Sequence, residues 1–285
     1  MNFENQSTLF NNNNRKGSKK MKTSISTKLF IFFFLLGSLL HISFALTTNE
    51  QMKEGITLAQ KAYVSYDKET FQKAYDIFGN IYSADSTNLP ALYNLTYVEY
   101  RFLEMGSRDK ALFDKYVTQA VEHAEKISSA KSFASEGKTL LASILMMKIT
   151  YNWAEAMTLS PRINALLGEA EVINPNNPRA YLIHGIMKLN TPAAFGGSVK
   201  EGLEKFNKTI SYFEKEEEES ASLTINWGYL DALAWTGIAN EKLEMTDAAI
   251  FVYKKALSIE PEYSWVKYVL LPKLEKTQNG TKNTF

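Results

Sequence analysis

The chain has 285 residues, of which 22% are charged, and its formal net charge is +1. Cysteine is absent, which excludes disulfides, thiolate metal sites, a cysteine nucleophile and a lipid-bearing cysteine. The part after residue 45 is mildly acidic and has no basic stripe. This argues against a nucleic-acid partner, because phosphates require clustered Lys and Arg.

The N-terminal residues have the composition of a targeting segment. From Met21 a short basic stretch precedes an apolar run over residues 29–44, which ends at a small-x-small cleavage site at Ala45. This order predicts a secretory signal peptide over residues 21–45, preceded by a disordered upstream extension over residues 1–20. The apolar run is short for a membrane span of about 20 residues, so we expect a periplasmic or secreted protein without a span after cleavage.

The rest of the chain shows helical periodicity and lacks runs of alternating β-branched residues, which predicts an all-α fold. We expect one helical domain over residues 46–275 and a disordered tail over residues 276–285. The expected helices cover 48–66, 68–83, 89–104, 107–128, 133–149, 158–173, 177–189, 198–215, 225–243, 246–258 and 262–275.

The clearest motif lies near the C-terminus, where six residues have the spacing of a tetratricopeptide (TPR) helical hairpin: Leu233, Gly237, Ala249, Tyr253, Ala256 and Pro261. Small residues let the two helices approach closely, and the proline ends the second helix. Gly185 and Phe206 match Gly237 and Tyr253 in an earlier hairpin, and Ala74 and Phe78 repeat the spacing near the start. The pattern predicts a TPR-like α-solenoid of stacked antiparallel hairpins with degenerate repeats.

Residues 135–273 also resemble exported bacterial TPR proteins of poorly defined function. The resemblance rests on residues 159–162, 174–181, 192–197 and 265–268. The overall plan is similar to the periplasmic TPR component of some tripartite solute transporters, a family whose helices enclose an apolar channel. The resemblance implies a bacterial, exported protein.

In ordinary TPR stacks the first helices of successive hairpins line a concave groove. Transferring that register to this chain gives the groove candidates Arg179, Leu182, Ile186, Leu189, Asp231, Ala234, Ile238, Glu241 and Lys242. The turn over residues 191–197 is longer than a hairpin needs, so Phe195, Gly196 and Gly197 are loop candidates for binding. The alternative for this loop is a structural plug in which Phe195 packs under the hairpin and the glycines cap it.

No catalytic or metal-binding pattern is present. After residue 45 the histidines are His123 and His184, which lack metal-ligand spacing, and His184 fits a packed, hydrogen-bonded core position. The charge run over residues 214–219 fits a solvated connection better than a calcium site, which needs convergent loop oxygens. The sequence therefore predicts no enzyme, no metal and no cofactor.

Two hypotheses about function remain, with an enzyme as a distant third. The first is a scaffold that binds a protein or peptide in its groove. The alternative is a module, such as a transport accessory, that binds a small apolar ligand in a cavity lined by Met146, Met147, Trp153 and Phe195. An open groove would favour the first hypothesis, an enclosed apolar pocket the second, and converging titratable groups the third.

The signal peptide makes a direct prediction. Because basic, apolar and small residues follow one another in the required order, export should remove residues 1–45, and N-terminal sequencing of exported protein should begin near Leu46. A mature protein that kept residues 32–34 in a membrane would contradict the prediction.

Overall fold

The computed structural model describes residues 47–215 and 223–282, and all regular secondary structure in these ranges is helical. The predicted all-α class is confirmed. The signal peptide, the upstream extension and residues 216–219 of the charge run lie outside the described residues. The helices are α1 over residues 47–65, α2 Lys68–Ala84, α3 Leu89–Met105, α4 Lys110–Ser129, α5 Ala134–Tyr151, α6 Ala156–Ile173, α7 Pro178–Asn190, α8 Val199–Phe213, α9 Tyr229–Lys242, α10 Thr246–Ile259 and α11 Leu271–Lys282.

Helix boundaries near the C-terminus differ from the predicted ones. Helix α9 begins at Tyr229 rather than at residue 225, because Gly228 has φ 107° and cannot continue a right-handed helix. The last expected helix contains a π-helical turn, Val266–Leu270, which leads directly into α11. Helix α11 continues to Lys282, beyond residue 275, where we expected the helical domain to end.

Side-chain caps explain why many of the helices start where they do. The residues that precede α2, α3, α4, α7 and α8 each accept a hydrogen bond from a backbone N–H in the first turn, and they are Asp67, Asn88, Asp109, Asn177 and Ser198. These bonds satisfy donors that a helix leaves unpaired at its N-terminus. Asp109, for example, sets the start of α4 at Lys110, three residues after the predicted start at 107.

Consecutive helices pack as hairpins, and three of these hairpins use the same contact. A Cβ added to Gly185 would lie 2.6 Å from the Phe206 ring, and one added to Gly237 would lie 2.1 Å from the Tyr253 ring. The first hairpin repeats the arrangement, with Gly55 facing Phe78 at 2.6 Å. A glycine in each first helix therefore accommodates an aromatic ring of the second helix, as the TPR spacing predicts.

The first and last parts of the described chain meet. The rings of Tyr63 in α1 and Tyr263 before the π-helical turn have centroids 5.5 Å apart, and the Tyr63 hydroxyl donates to the Tyr263 oxygen at 3.1 Å. The hairpins thus enclose an interior space. None of the helices in the two described ranges is long and apolar enough to cross a membrane.

The contact between Gly237 and Tyr253 predicts that one added methyl group lowers the free energy of unfolding. Gly237→Ala should destabilise the protein by roughly 1–3 kcal/mol, because the new Cβ overlaps the buried Tyr253 ring. Denaturant unfolding measures the change. The matched control is Gly168→Ala in α6, where a Cβ meets nothing within 4 Å and the helix should gain up to about 1 kcal/mol. Equal stabilities of the two variants would contradict the close packing of the Tyr253 ring against Gly237.

Candidate functional site

The interior space is a cavity of about 960 Å³. Its walls come mainly from α1, α3, α5, α7 and α9, which are the first helices of successive hairpins, and from residues 263–269, which follow the last hairpin. Phe71 of α2, Ser107 and Trp227 also line it. The first helices would line the concave groove of an ordinary TPR stack. Here the contact between Tyr63 and Tyr263 closes the groove into a cavity.

One side of the cavity is apolar. Met146 and Met147 of α5 and Ile183 and Ile186 of α7 line it, together with the indole of Trp235 in α9. Trp235 packs edge to face against Trp265, with ring centroids 5.6 Å apart. Such a surface can bury the hydrocarbon or aromatic part of a ligand.

The other side holds a buried ion cluster centred on Arg101 of α3, whose side chain is only 7% exposed. Its Nη2 donates to Asp231 of α9 at 2.8 Å, and its Nη1 donates to Glu104 at 2.6 Å. Its Nε donates to the Tyr97 hydroxyl at 2.9 Å. All three nitrogens of the guanidinium therefore have partners, as a buried charge requires.

Aromatic rings surround the same guanidinium. Its central carbon lies 4.5 Å from the ring centroid of Tyr63, 5.0 Å from that of Tyr97, 5.2 Å from that of Tyr100 and 5.9 Å from that of Trp227. At these distances the electron-rich ring faces attract a cation. The rings belong to α1, α3 and the connection before α9, so this single charge joins three parts of the chain.

The cluster shifts the ionisation of its members. Burial raises the pKa of Glu104, and the neighbouring Arg101 opposes this shift. Burial alone would lower the pKa of Arg101, but Asp231 and Glu104 raise it well above its usual value. Arg101 is thus a permanent cation held between two carboxyl groups.

The connection before α9 lies against α3 and α7. The Asn94 side chain in α3 donates to the Leu223 carbonyl at 2.8 Å and accepts from the Ile225 N–H at 2.9 Å. Trp227 Nε1 donates to the Tyr93 hydroxyl at 2.8 Å, and Arg179 Nη2 donates to Asn226 Oδ1 at 2.5 Å. We call residues 223–228 the inner segment. The inner segment therefore covers part of the helix face that lines the groove in an ordinary TPR stack.

The cavity has an exposed apolar rim. Tyr66 at the end of α1 and Tyr268 and Val269 in the π-helical turn all line the cavity, and they are 58%, 66% and 53% exposed. Tyr66 has φ 57°, a conformation that costs energy for a bulky residue. The rim marks the side from which a ligand can enter.

Of the groove candidates, three line the cavity: Leu182, Ile186 and Asp231. Arg179 is covered by the inner segment through its bond to Asn226. The sequence placed these residues on the inner face, but it gave no sign that part of that face is occupied by the chain itself.

The remaining groove candidates lie elsewhere. Leu189 and Ala234 are buried in the core, and Ile238 packs against the core while partly exposed. Glu241 accepts a hydrogen bond from the Tyr253 hydroxyl at 2.5 Å, and Lys242 is exposed. None of the five is among the residues that line the cavity.

The loop over residues 191–197 lies away from the cavity lining. Phe195 is 70% exposed, so the interpretation in which it packs under the hairpin is wrong. The glycines do close the turn: Gly196 has φ 85°, and a Cβ on Gly197 would lie 1.7 Å from the Thr191 carbonyl oxygen. A binding role for Phe195, Gly196 and Gly197 stays a prediction.

Of the four residues expected to line a ligand cavity, Met146 and Met147 do so. Trp153 and Phe195 do not, and Trp153 is 81% exposed. Trp227, by contrast, is buried in the wall beside the ion cluster. Sequence reasoning missed Arg101 because its main partner, Asp231, is 130 residues away along the chain.

The two histidines of the helical region lie outside the cavity lining. His184 Nδ1 is 2.6 Å from a Glu171 oxygen, and His123 Nδ1 is 3.0 Å from an oxygen of the buried Glu99. The packed, hydrogen-bonded position expected for His184 is therefore confirmed. Within residues 47–215 and 223–282, no group of three His, Cys, Asp or Glu side chains could hold a metal ion.

Solved structures that are similar to this chain include two of TPR-like fold. The HusA haemophore from Porphyromonas gingivalis is 20% identical, with a TM-score of 0.55 over 70% of this chain and 93% of its own. TTC0263, a thermophilic TPR protein from Thermus thermophilus, is 14% identical, with a TM-score of 0.56 over 77% of this chain and 95% of its own. No protein-family model and no curated protein matches the chain. At these identities the likeness shows the fold alone, which is a TPR-type α-solenoid.

The ion cluster predicts that a buried arginine ion pair stabilises the protein much more than an exposed ion pair of similar length. Arg101→Met should destabilise the protein by about 3–5 kcal/mol, because Asp231 and Glu104 lose their buried counter-charge. Arg162→Met removes a 2.7 Å pair with Glu125 whose side chains are 47% and 49% exposed, and it should cost only about 0–1 kcal/mol. Denaturant unfolding compares them, and similar losses would contradict the structural role of the cluster.

Proposed function

We propose that this protein is a non-catalytic binding protein whose inner cavity takes a small, mainly apolar ligand. The observation that carries the proposal is the inner segment, residues 223–228, which covers part of the face that would otherwise be open to a peptide. The space that remains is a cavity of about 960 Å³. Small-molecule sites occupy roughly 300–1,000 Å³ and are mostly apolar with a few polar groups.

The polar groups of the cavity support binding rather than catalysis. Among the described residues, the charged side chains that converge there are Arg101, Glu104 and Asp231, and Arg101 pairs with both carboxylates. A nucleophile would need an adjacent base, and a general acid or base would need a proton path to a substrate. The paired groups of this cluster instead offer a fixed polar end to an otherwise apolar space.

The similar structures and the N-terminal residues support a carrier. One of the similar structures is named a haemophore, so a TPR-type fold can serve as a small-molecule carrier. The signal-peptide pattern over residues 21–45 supports action in the periplasm or outside the cell. The hypothesis of a protein or peptide partner stays a prediction, and the inner segment reduces the face available to such a partner.

The cavity can be tested by filling it. Ile186 lines the cavity and is partly exposed, so Ile186→Trp should occupy ligand space without opening the core. We expect wild-type protein to bind about one equivalent of the neutral fluorescent probe N-phenyl-1-naphthylamine. The variant should bind the probe at least about 10-fold more weakly, which corresponds to about 1.4 kcal/mol. Fluorescence titration measures both affinities.

The matched control places the same side chain on the outside. Val172 in α6 is 80% exposed, so Val172→Trp should leave probe affinity unchanged. Circular dichroism verifies that both variants are folded. A wild-type protein that does not bind the probe, or a folded Ile186→Trp variant with unchanged affinity, would contradict the proposed function.

A further inference from the structure

The charges of the cavity lining do not balance. Among the described residues, its charged side chains are one cation, Arg101, and two carboxylic acids, Glu104 and Asp231. The same part of the chain contributes no lysine or histidine to the lining. With both acids ionised, the lining therefore carries one surplus negative charge.

The surplus negative charge is best assigned to Glu104. The Asp231 side chain is 10% exposed and has two donors, Arg101 at 2.8 Å and the Tyr263 hydroxyl at 3.3 Å. The Glu104 side chain is 28% exposed and accepts from Arg101 and from the Tyr100 hydroxyl. Glu104 is thus the more exposed of the two carboxyl groups.

The aromatic side chains of the cavity favour the same sign of ligand charge. Indole and phenol rings attract cations through their faces, and the rings around Arg101 already do so. Trp235, Trp265 and Tyr268 line the cavity as well. A cationic ligand would meet aromatic faces and a carboxylate within one cavity.

We propose that the ligand is an apolar molecule with a single cationic group, an amine or a quaternary ammonium. The cationic group lies near Glu104, and the apolar part lies against Met146, Met147 and Trp235. This inference rests on the proposed function and names the ligand class for the same cavity. Anionic ligands are disfavoured, because the guanidinium of Arg101 is already paired with Asp231 and Glu104. The carboxylate of Glu104 would also repel an anion that entered the cavity.

The test uses three amphiphiles with the same alkyl chain and different head groups: dodecyltrimethylammonium, dodecanol and dodecanoate. Each is titrated against the complex of wild-type protein and N-phenyl-1-naphthylamine, below the micelle concentration of the two ionic amphiphiles and below the solubility limit of dodecanol. We expect the cation to bind about 10-fold more tightly than the alcohol, and the anion to bind most weakly. Dodecanoate binding as tightly as the cation, or equal affinities for all three, would overturn the inference.

The role of Glu104 is tested by measuring how its substitution changes the preference for the cation over the alcohol. Glu104→Gln keeps the shape of the side chain and removes its charge, so the ratio of cation to alcohol affinity should fall about 10-fold. Glu169→Gln is the control, because its carboxylate pairs with Lys138 and lies outside the cavity lining, and the ratio should be unchanged. An unchanged ratio in Glu104→Gln would also overturn the inference.

The outcomes separate this inference from the proposed function. If the probe does not bind wild-type protein, the proposed function fails and the ligand class fails with it. If the probe binds and all three amphiphiles displace it equally, the cavity is a ligand site without a charge preference, and only the present inference fails. The wild-type ranking does not depend on the folding of any variant.

Discussion

The guanidinium of Arg101 is a charge that cannot be removed by deprotonation, and its side chain is only 7% exposed. Taking such a group out of water is costly unless carboxylates and hydrogen-bond acceptors surround it. The surrounding groups come from distant parts of the chain: the carboxylate of Asp231 belongs to α9, and two of the aromatic rings around the guanidinium are Trp227 of the inner segment and Tyr63 of α1. The interior is therefore arranged around one electrostatic requirement.

That requirement also explains how the solenoid closes. The Tyr263 hydroxyl donates to Asp231, and the Tyr263 ring contacts Tyr63, so the segment after the last hairpin is joined to both the ion cluster and the first helix. In ordinary TPR stacks the groove is extended and open, because each repeat contacts only its neighbours. Here contacts between residues 130 to 200 positions apart convert the groove into a cavity with one apolar side and one charged side.

The sequence predicts the local structure of this protein well. Glycine and aromatic spacing identifies the hairpin contacts of Gly185 and Gly237, since these depend on residues within one or two helices. The cavity could not be predicted in the same way. Arg101 and Asp231 are on separate hairpins, and no local pattern shows that Asn94 binds residues 223–225. Periodicity gives the register of each helix, but the closure of the superhelix depends on contacts between helices far apart in sequence.

The closure of the solenoid creates the cavity, and the absence of cysteine makes this closure directly measurable. Lys61 in α1 and Glu262 before the π-helical turn are both exposed and flank the contact between Tyr63 and Tyr263. Spin labels on a Lys61→Cys, Glu262→Cys variant allow the distance between these two elements to be measured by double electron–electron resonance. A closed solenoid predicts one narrow, short distance without added ligand. A broad distribution extending to the long distances of an open solenoid would contradict it.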